Sequence, residues 1–407
     1  MPRTLITNGL IFDGHSPDLI ADHYVLIENG RIARVRSGKP DVAADRVLDL
    51  KGKVLMPGLI DAHFHAYAAE ANMGLLEELP ISYLAQRARP LMEGALKRGF
   101  TTVRDAGGAD YGLWRAIEEG HFDAPRLFYA GRAFSQAGGH GDSRASHIEP
   151  CGCGMRGNLA EVVDGVDDLR KAVREALRQG AHQIKIFVSG GISSPTDPIW
   201  MLQYSEEEIR AVVDEATRRR SYVMAHAYTA ETILRGVRCG IRSIEHANLI
   251  DAEAAAAVAE HGAFVVPTLI TYAAIARHGK ALGVPQITLD KLSDVKDQGL
   301  TAIELCRKAG VKLGFGTDLL GDMHKHQLDE FEIRAEVETP FQILNSATAV
   351  NAALVQQPDL LGCVREGAHA DLLVIDGNPL QDVRIMARPE RMALVMRGGK
   401  IIVNHLP

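Results

Sequence analysis

The run Gly58-Leu-Ile-Asp-Ala-His-Phe-His-Ala-Tyr67 places His63 and His65 one residue apart at the end of an apolar stretch. In an extended strand alternate side chains share a face, so the two imidazoles point the same way. Two neutral imidazoles converging from one strand end are half of a site for a divalent metal. A bare His-x-His is equally consistent with one packed ring and one solvated ring, so the rest of the chain must decide. Residues of the same chemistry end later apolar runs: His226 in VMAHAYT, His246 in SIEHANL and Asp318 in GFGTD. Lys185 lies inside HQIKIFVSGG, flanked by apolar residues. Desolvation there lowers an amine's pKa. A neutral amine can combine with carbon dioxide to give a carbamate, an oxygen ligand able to bridge two cations. A buried lysine paired with Asp318 or Asp105 is the other reading of that residue.

Such side chains meet only if their strands end together. Short runs rich in Val, Ile, Leu, Phe or Thr at 55–65, 101–105, 126–131, 183–188, 222–226, 243–246, 263–269 and 312–318 read as strands. Each except the last is separated from the next by a plausible helix. In VDDLRKAVREALRQG, Val166, Leu169, Val173 and Leu177 share one helical face, and Gly180 marks its end. SEEEIRAVVDEATRRR opens with Ser205 and Glu208 at capping-box spacing, and TPFQILNSATAVNAALV supplies a further helix after the eighth strand. Eight strands alternating with helices predict an α/β fold, a parallel (β/α)₈ barrel of the TIM type with its chemistry at the C-terminal strand ends. A doubly wound open sheet is the alternative, but no Gly-x-Gly-x-x-Gly turn follows the first strand. The ends of the chain read differently, as short β-runs broken at Asn8-Gly9, Asn29-Gly30, Lys51-Gly52 and Gly398-Gly399. Neither end has enough strands for its own core. The expected division is therefore a small β-sandwich domain from 1–56 plus 362–407, and a barrel over 57–361.

A chain of 407 residues, 46% hydrophobic and 24% charged, has the balance of an ordinary globular protein. A net charge of -7 without a long basic run argues against nucleic acid. No apolar stretch approaches the roughly 20 residues of a membrane span. The first residues lack a charged-then-apolar leader, so a reducing cytoplasm is expected. Five cysteines are too few and too scattered for a disulfide framework, and Cys151-Gly-Cys153 lacks the second ligand pair of a structural zinc site.

Taken together, PGLIDAHFH, the lysine of the fourth strand, the histidines ending the fifth and sixth, and GFGTD resemble the amidohydrolase superfamily, in its binuclear metal branch. The likeness runs through the closing GAHADLLVIDGNPL. RGFTTVRDAGG, GGHGD, QIKIFVSGG, AHAYT, SIEHANLID and FGTDLLG are more narrowly similar to its prolidase-like carboxypeptidases, dipeptidases that cleave dipeptides and N-acyl amino acids. The resemblance implies two divalent metal ions, with zinc the expected element. His63 and His65 would bind the first and His226 and His246 the second, with carbamylated Lys185 and a hydroxide bridging them and Asp318 completing the first site. That hydroxide would attack the amide carbonyl, and Asp318 would carry its proton to the departing nitrogen. His140 in GGHGD would hydrogen-bond the carbonyl or its oxyanion, where the bland reading is a solvated loop histidine.

Tyr228, two residues past His226 and so on the same side of an extended segment, is placed to bind substrate. Relatives that prefer basic C-terminal residues tend to have another histidine at its position, which points here to proline or an apolar leaving residue. Arg144 is a candidate for the substrate carboxylate, and Trp200 with Leu319-Leu320 for an apolar acyl pocket. The expected partner is a small molecule, a dipeptide or N-acyl amino acid such as an N-aroyl amino acid toxin, and the expected assembly is a homo-oligomer. Hydrolysis of cyclic amides or lactones would use the same metal pair. Heterocycle deamination usually needs one metal and a glutamate three residues after the strand-five histidine, where this chain has Thr229.

Overall fold

The computed structural model describes residues 2–148 and 157–406. Eight parallel strands form its centre: Leu59–Phe64, Phe100–Asp105, Arg126–Phe128, Ile184–Phe187, Val223–Thr229, Ser243–Leu249, Phe264–Val266 and Lys312–Leu313. The first three pair in one arc and the last five in another. Backbone hydrogen bonds join the arcs on both sides, among them His182 N to Tyr129 O at 2.9 Å and Ala62 N to Phe315 O at 2.8 Å. The result is a (β/α)₈ barrel.

The helices pack as their periodicity predicts. Val166–Arg178 buries Leu169, Val173 and Leu177, and Glu206–Arg218 opens with the Ser205–Glu208 capping box. Each of those apolar side chains contributes about 1.5–3 kcal/mol by leaving water. The helix expected after the eighth strand is interrupted. Pro340–Asn345 and Asn351–Leu354 are α-helical, with a π-helical turn over Ser346–Val350 between them. Just past that turn, the Asn351 amide donates to Ile60 O at 2.7 Å and Phe315 O at 2.8 Å, and so clamps the first strand to the eighth.

Several strand boundaries differ from the sequence expectation: the third strand ends at Phe128, and the fifth and sixth run on to Thr229 and Leu249. The run 55–65 is two strands, because Val54–Pro57 joins the terminal sheet while Leu59–Phe64 enters the barrel. The seventh strand stops at Val266, and Leu269 already begins the helix Leu269–His278. The eighth pairs in the ladder only over Lys312–Leu313, and then runs extended to Asp318, whose N–H donates to His63 O at 2.8 Å. Gly316 permits this approach, since a Cβ there would lie 2.8 Å from that of His63 and 2.6 Å from a methyl of Val266.

Strands from both chain ends share one mixed eight-stranded sheet. Its alternation divides the side chains between two cores: Leu372 and Val374 pack with Ile6 and Val25, while Leu373 and Ile375 pack into the barrel core. The hairpin turns Asn29-Gly30 and Gly398-Gly399 have positive φ at both residues (51° and 77°; 54° and 78°), as two-residue turns of this hand require. Among the described residues no helix is long and apolar enough to cross a membrane. Cys239, Cys306 and Cys363 are free and buried, while the Cys151–Cys153 pair lies outside the described residues.

Candidate active site

The C-terminal strand ends bring the predicted ligands to one cleft. His63 and His65 direct Nε2 toward the same oxygen, Asp318 Oδ1, at 3.4 and 3.2 Å. The His246 ring centroid lies 4.9 Å from that of His63 and 4.6 Å from that of His226. Ligand atoms of His63, His246 and Asp318 all fall within 4.8 Å of one another, the spacing of a metal site. Lys185 lines the same cleft, buried, with Nζ 5.6 Å from the Phe187 ring centroid. The close partners of Asp318 are the two histidines, and those of Asp105 are the amides of Ala66, Gly107 and Ala109. Neither carboxylate is in an ion pair with the lysine. His246 and Asp318 have left-handed backbone, φ 76° and 52°, a strain of about 1–3 kcal/mol each that characteristically marks functional positions.

The donor set fits divalent metal. Each of three rings commits Nδ1 elsewhere: His63 to Glu245 Oε2 at 2.8 Å, His65 to Gly107 O at 3.0 Å, and His246 to Thr268 Oγ1 at 2.8 Å. That leaves Nε2 of each for the site. His226 instead commits Nε2, to Gly190 O at 3.2 Å. Glu245 is itself anchored by the buried Arg104 guanidinium at 2.9 and 3.0 Å and by Ser243 at 2.5 Å. Burial drives His63 and His226 well below the usual imidazole value and His246 to about 3, so all three are neutral and ready to ligate. Burial would also neutralise Asp318, but His63, His65 and His246 outweigh it and hold the carboxyl well below the usual range. His65 is raised, because its contact with Asp318 outweighs burial; a cation between the two would replace that proton as partner to both. Thr268→Val, nearly isosteric, removes the support of His246. It is expected to weaken metal affinity roughly 10- to 100-fold, read by metal titration of chelator-stripped protein, with Thr268→Ser close to wild type.

The cleft has about 850 Å³ of empty space, part of it open to solvent. Met73, Leu159, Phe187, Ile192, Ile275 and Leu320 supply its apolar walls. His140 enters it stacked on His226, centroids 4.3 Å apart, and is not a solvated loop residue. Tyr228 stands between His226 and His246, at 4.7 and 5.4 Å, and accepts a hydrogen bond from Tyr272 OH at 3.1 Å. Burial raises the Tyr228 phenol, so it remains a neutral donor. Three expectations fail. Arg144 commits its guanidinium to Asp142 at 2.8 and 2.6 Å, Trp200 is 74% exposed, and Leu319 is buried in the barrel core, leaving only Leu320 of that pair on the cleft.

Sequence reading missed Glu245, Thr268 and Tyr272. Glu245 had a signal, an acid inside an apolar strand directly before His246. Thr268 and Tyr272 had none, since their partners are 22 and 44 residues away.

Comparison with known proteins agrees with this geometry. Residues 54–402 match the model of the amidohydrolase family. Ochratoxinase of Aspergillus niger is 33% identical over 369 residues, 86% of this chain and 75% of that protein. A crystal structure of a prolidase complexed with N-methylphosphonate-L-proline is 48% identical, with TM-score 0.96 over 99% of this chain and 100% of that one. A Xaa-Pro dipeptidase with bound methionine in its active site is 29% identical, with TM-score 0.88 over 98% and 99%. With the barrel, the gathered histidines and a match spanning most of its length, this chain belongs to the amidohydrolase family.

Proposed function

We propose that this protein is a binuclear metal-dependent hydrolase that cleaves the amide bond of dipeptides or N-acyl amino acids, including N-aroyl amino acids, with a proline or apolar C-terminal residue. The observation that carries the reading is the convergence of four histidines and Asp318 around a buried lysine, in a cleft whose other walls are largely apolar, with Glu77, Ser143, Ser193, Ser194 and Thr271 among them. The similarity to a prolidase, a Xaa-Pro dipeptidase and ochratoxinase supports the substrate class.

On this reading His63, His65 and Asp318 would hold one ion and His226 and His246 the other, and Lys185, as its carbamate, would supply oxygen ligands. Bound divalent ions, zinc by expectation, lower the pKa of water from 15.7 to about 7 and polarise a carbonyl. The protein supplies the rest. Asp318 holds and moves the proton. His140 and Tyr228 hydrogen-bond the scissile carbonyl. Because Tyr272 donates into the Tyr228 oxygen, the Tyr228 proton is left for substrate. The apolar walls exclude water and seat the apolar side chains.

A hydrolysis panel of dipeptides and N-acyl amino acids with varied C-terminal residue, run with metal analysis, tests the reading. Proline and apolar C-terminal residues are expected to exceed lysine or arginine by at least roughly 100-fold in kcat/KM, since an unpaired charge against apolar walls costs several kcal/mol. Near two metal ions per chain are expected. A panel that is wholly inert while a ring amide or a lactone turns over would overturn the proposal.

A further inference from the structure

His140 is held at both ends by one carboxylate that lies outside the metal cluster. Its ring Nδ1 donates to Ser194 Oγ at 2.7 Å, and Ser194 in turn donates to Asp197 Oδ1. Its backbone N–H donates to Gln203 Oε1 at 3.0 Å, and the Gln203 amide donates to Asp197 Oδ2 at 3.2 Å. Asp197 Oδ2 also accepts the Gly191 N–H at 2.9 Å and lies 3.4 Å from His140 Nδ1. The carboxylate is fully buried. Such a group is costly to desolvate unless paired. Lys291 meets that need: its ammonium is 3.8 Å from Asp197 and donates to the carbonyls of Gly191, Ser194 and Asp197 at 3.0, 2.8 and 2.6 Å. The loop so pinned lies hard against the His140 ring. A Cβ on Gly191 would come within 2.1–2.4 Å of three ring atoms, so only glycine fits.

The arrangement has a chemical consequence. With Nδ1 engaged by Ser194, Nε2 is the ring nitrogen that faces substrate; it donates to a carbonyl oxygen when both ring nitrogens carry protons, and the Asp197 carboxylate behind Ser194 supplies the matching negative charge. The ring also cannot swing away from His226 without breaking bonds that end on Asp197. We propose that Asp197, acting through Ser194 and Gln203, is the positioning residue for His140, fixing its ring over the metal cluster for contact with the scissile carbonyl. This rests on the role given to His140 above.

A double-mutant cycle in kcat tests it, with the metal-loaded full-length protein and the best substrate of the panel. Asp197→Ala is expected to lower kcat roughly 10- to 100-fold with little change in KM or metal content, as loss of an orienting partner does. In a His140→Ala background the same change is expected to cost less than roughly threefold, because a residue acting through another has nothing further to lose. Ser194→Ala, which cuts only the ring-side relay, is run through the same cycle and decides if Asp197→Ala does not fold. Full, additive losses in the His140→Ala background would show a merely structural role and overturn the proposal. Wild-type kcat in the single variants would overturn it too. A His140→Ala protein with wild-type kcat would remove the role of His140 itself, and a wild type inert on the whole panel would remove the substrate reading. The failures are therefore distinguishable.

Discussion

Asp318→Asn is expected to lose roughly 10²- to 10⁴-fold in kcat, the range for removing a general acid–base group, while retaining much of its metal. Asparagine keeps the shape of the side chain and one oxygen toward His63 and His65, whose Nε2 atoms lie 3.4 and 3.2 Å from Oδ1. It loses basicity. The surrounding imidazoles hold Asp318 ionised in spite of its burial, so it can accept a proton at neutral pH. Its left-handed backbone directs the side chain into the cleft rather than along the strand. Amide cleavage needs a group that takes a proton from the attacking water and delivers it to nitrogen, because the amine must depart neutral. Of the six clustered residues only Asp318 has both charge and access: the rings are neutral or committed, and Lys185 is buried. Steady-state kinetics with metal analysis separates the two functions of the carboxylate. Unchanged turnover would exclude the proton-transfer role, and loss of turnover in step with loss of metal would reduce Asp318 to a ligand.

The sequence was informative where chemistry coincides with periodicity. Short runs rich in Val, Ile, Leu, Phe or Thr exposed the barrel strands, and the strand ends then singled out His63, His65, His226 and His246 without any knowledge of distances. Asp318 was found from the run GFGTD although its segment is barely a strand, and Gly316 lets that segment run close to His63 of the first strand. Loops have no such code. Arg144 and Trp200 were chosen for their side-chain types, but the partner of Arg144 is an aspartate two residues away and Trp200 faces solvent. The Asp197 network was invisible for a related reason. Its groups are ordinary loop residues until Lys291, about a hundred residues on, folds against their carbonyls. The π turn before Asn351 was hidden as well, since one extra residue in a helical turn leaves the apolar pattern nearly intact.

Lys185→Met is expected to lose more activity than the roughly 10- to 100-fold typical of residues that merely support ligands, and to bind less than two ions per chain. Methionine fills a similar volume and is at ease among Ile184, Ile186 and Phe187, so the fold should survive. The sharper test leaves the lysine in place. Burial lowers its amine from 10.5 to about 8, against the pull of Glu245 and Asp318. At pH 7 about one lysine in ten is then neutral, against about one in 3,000 at the ordinary value, and only the neutral amine adds carbon dioxide. The sign follows directly: a depressed amine pKa means the reactive form grows as pH rises through 8 and vanishes as it falls. Chelator-stripped protein given metal in carbon dioxide-free buffer is therefore expected to regain little activity. Added bicarbonate, as the source of carbon dioxide, should restore it, and at equal dissolved carbon dioxide faster at pH 8.5 than at pH 6.5. Rapid reactivation indifferent to bicarbonate would show that the amine serves without the carbamate. The bridge between the two ions would then have to come from some other group, and the binuclear reading would lose its centre.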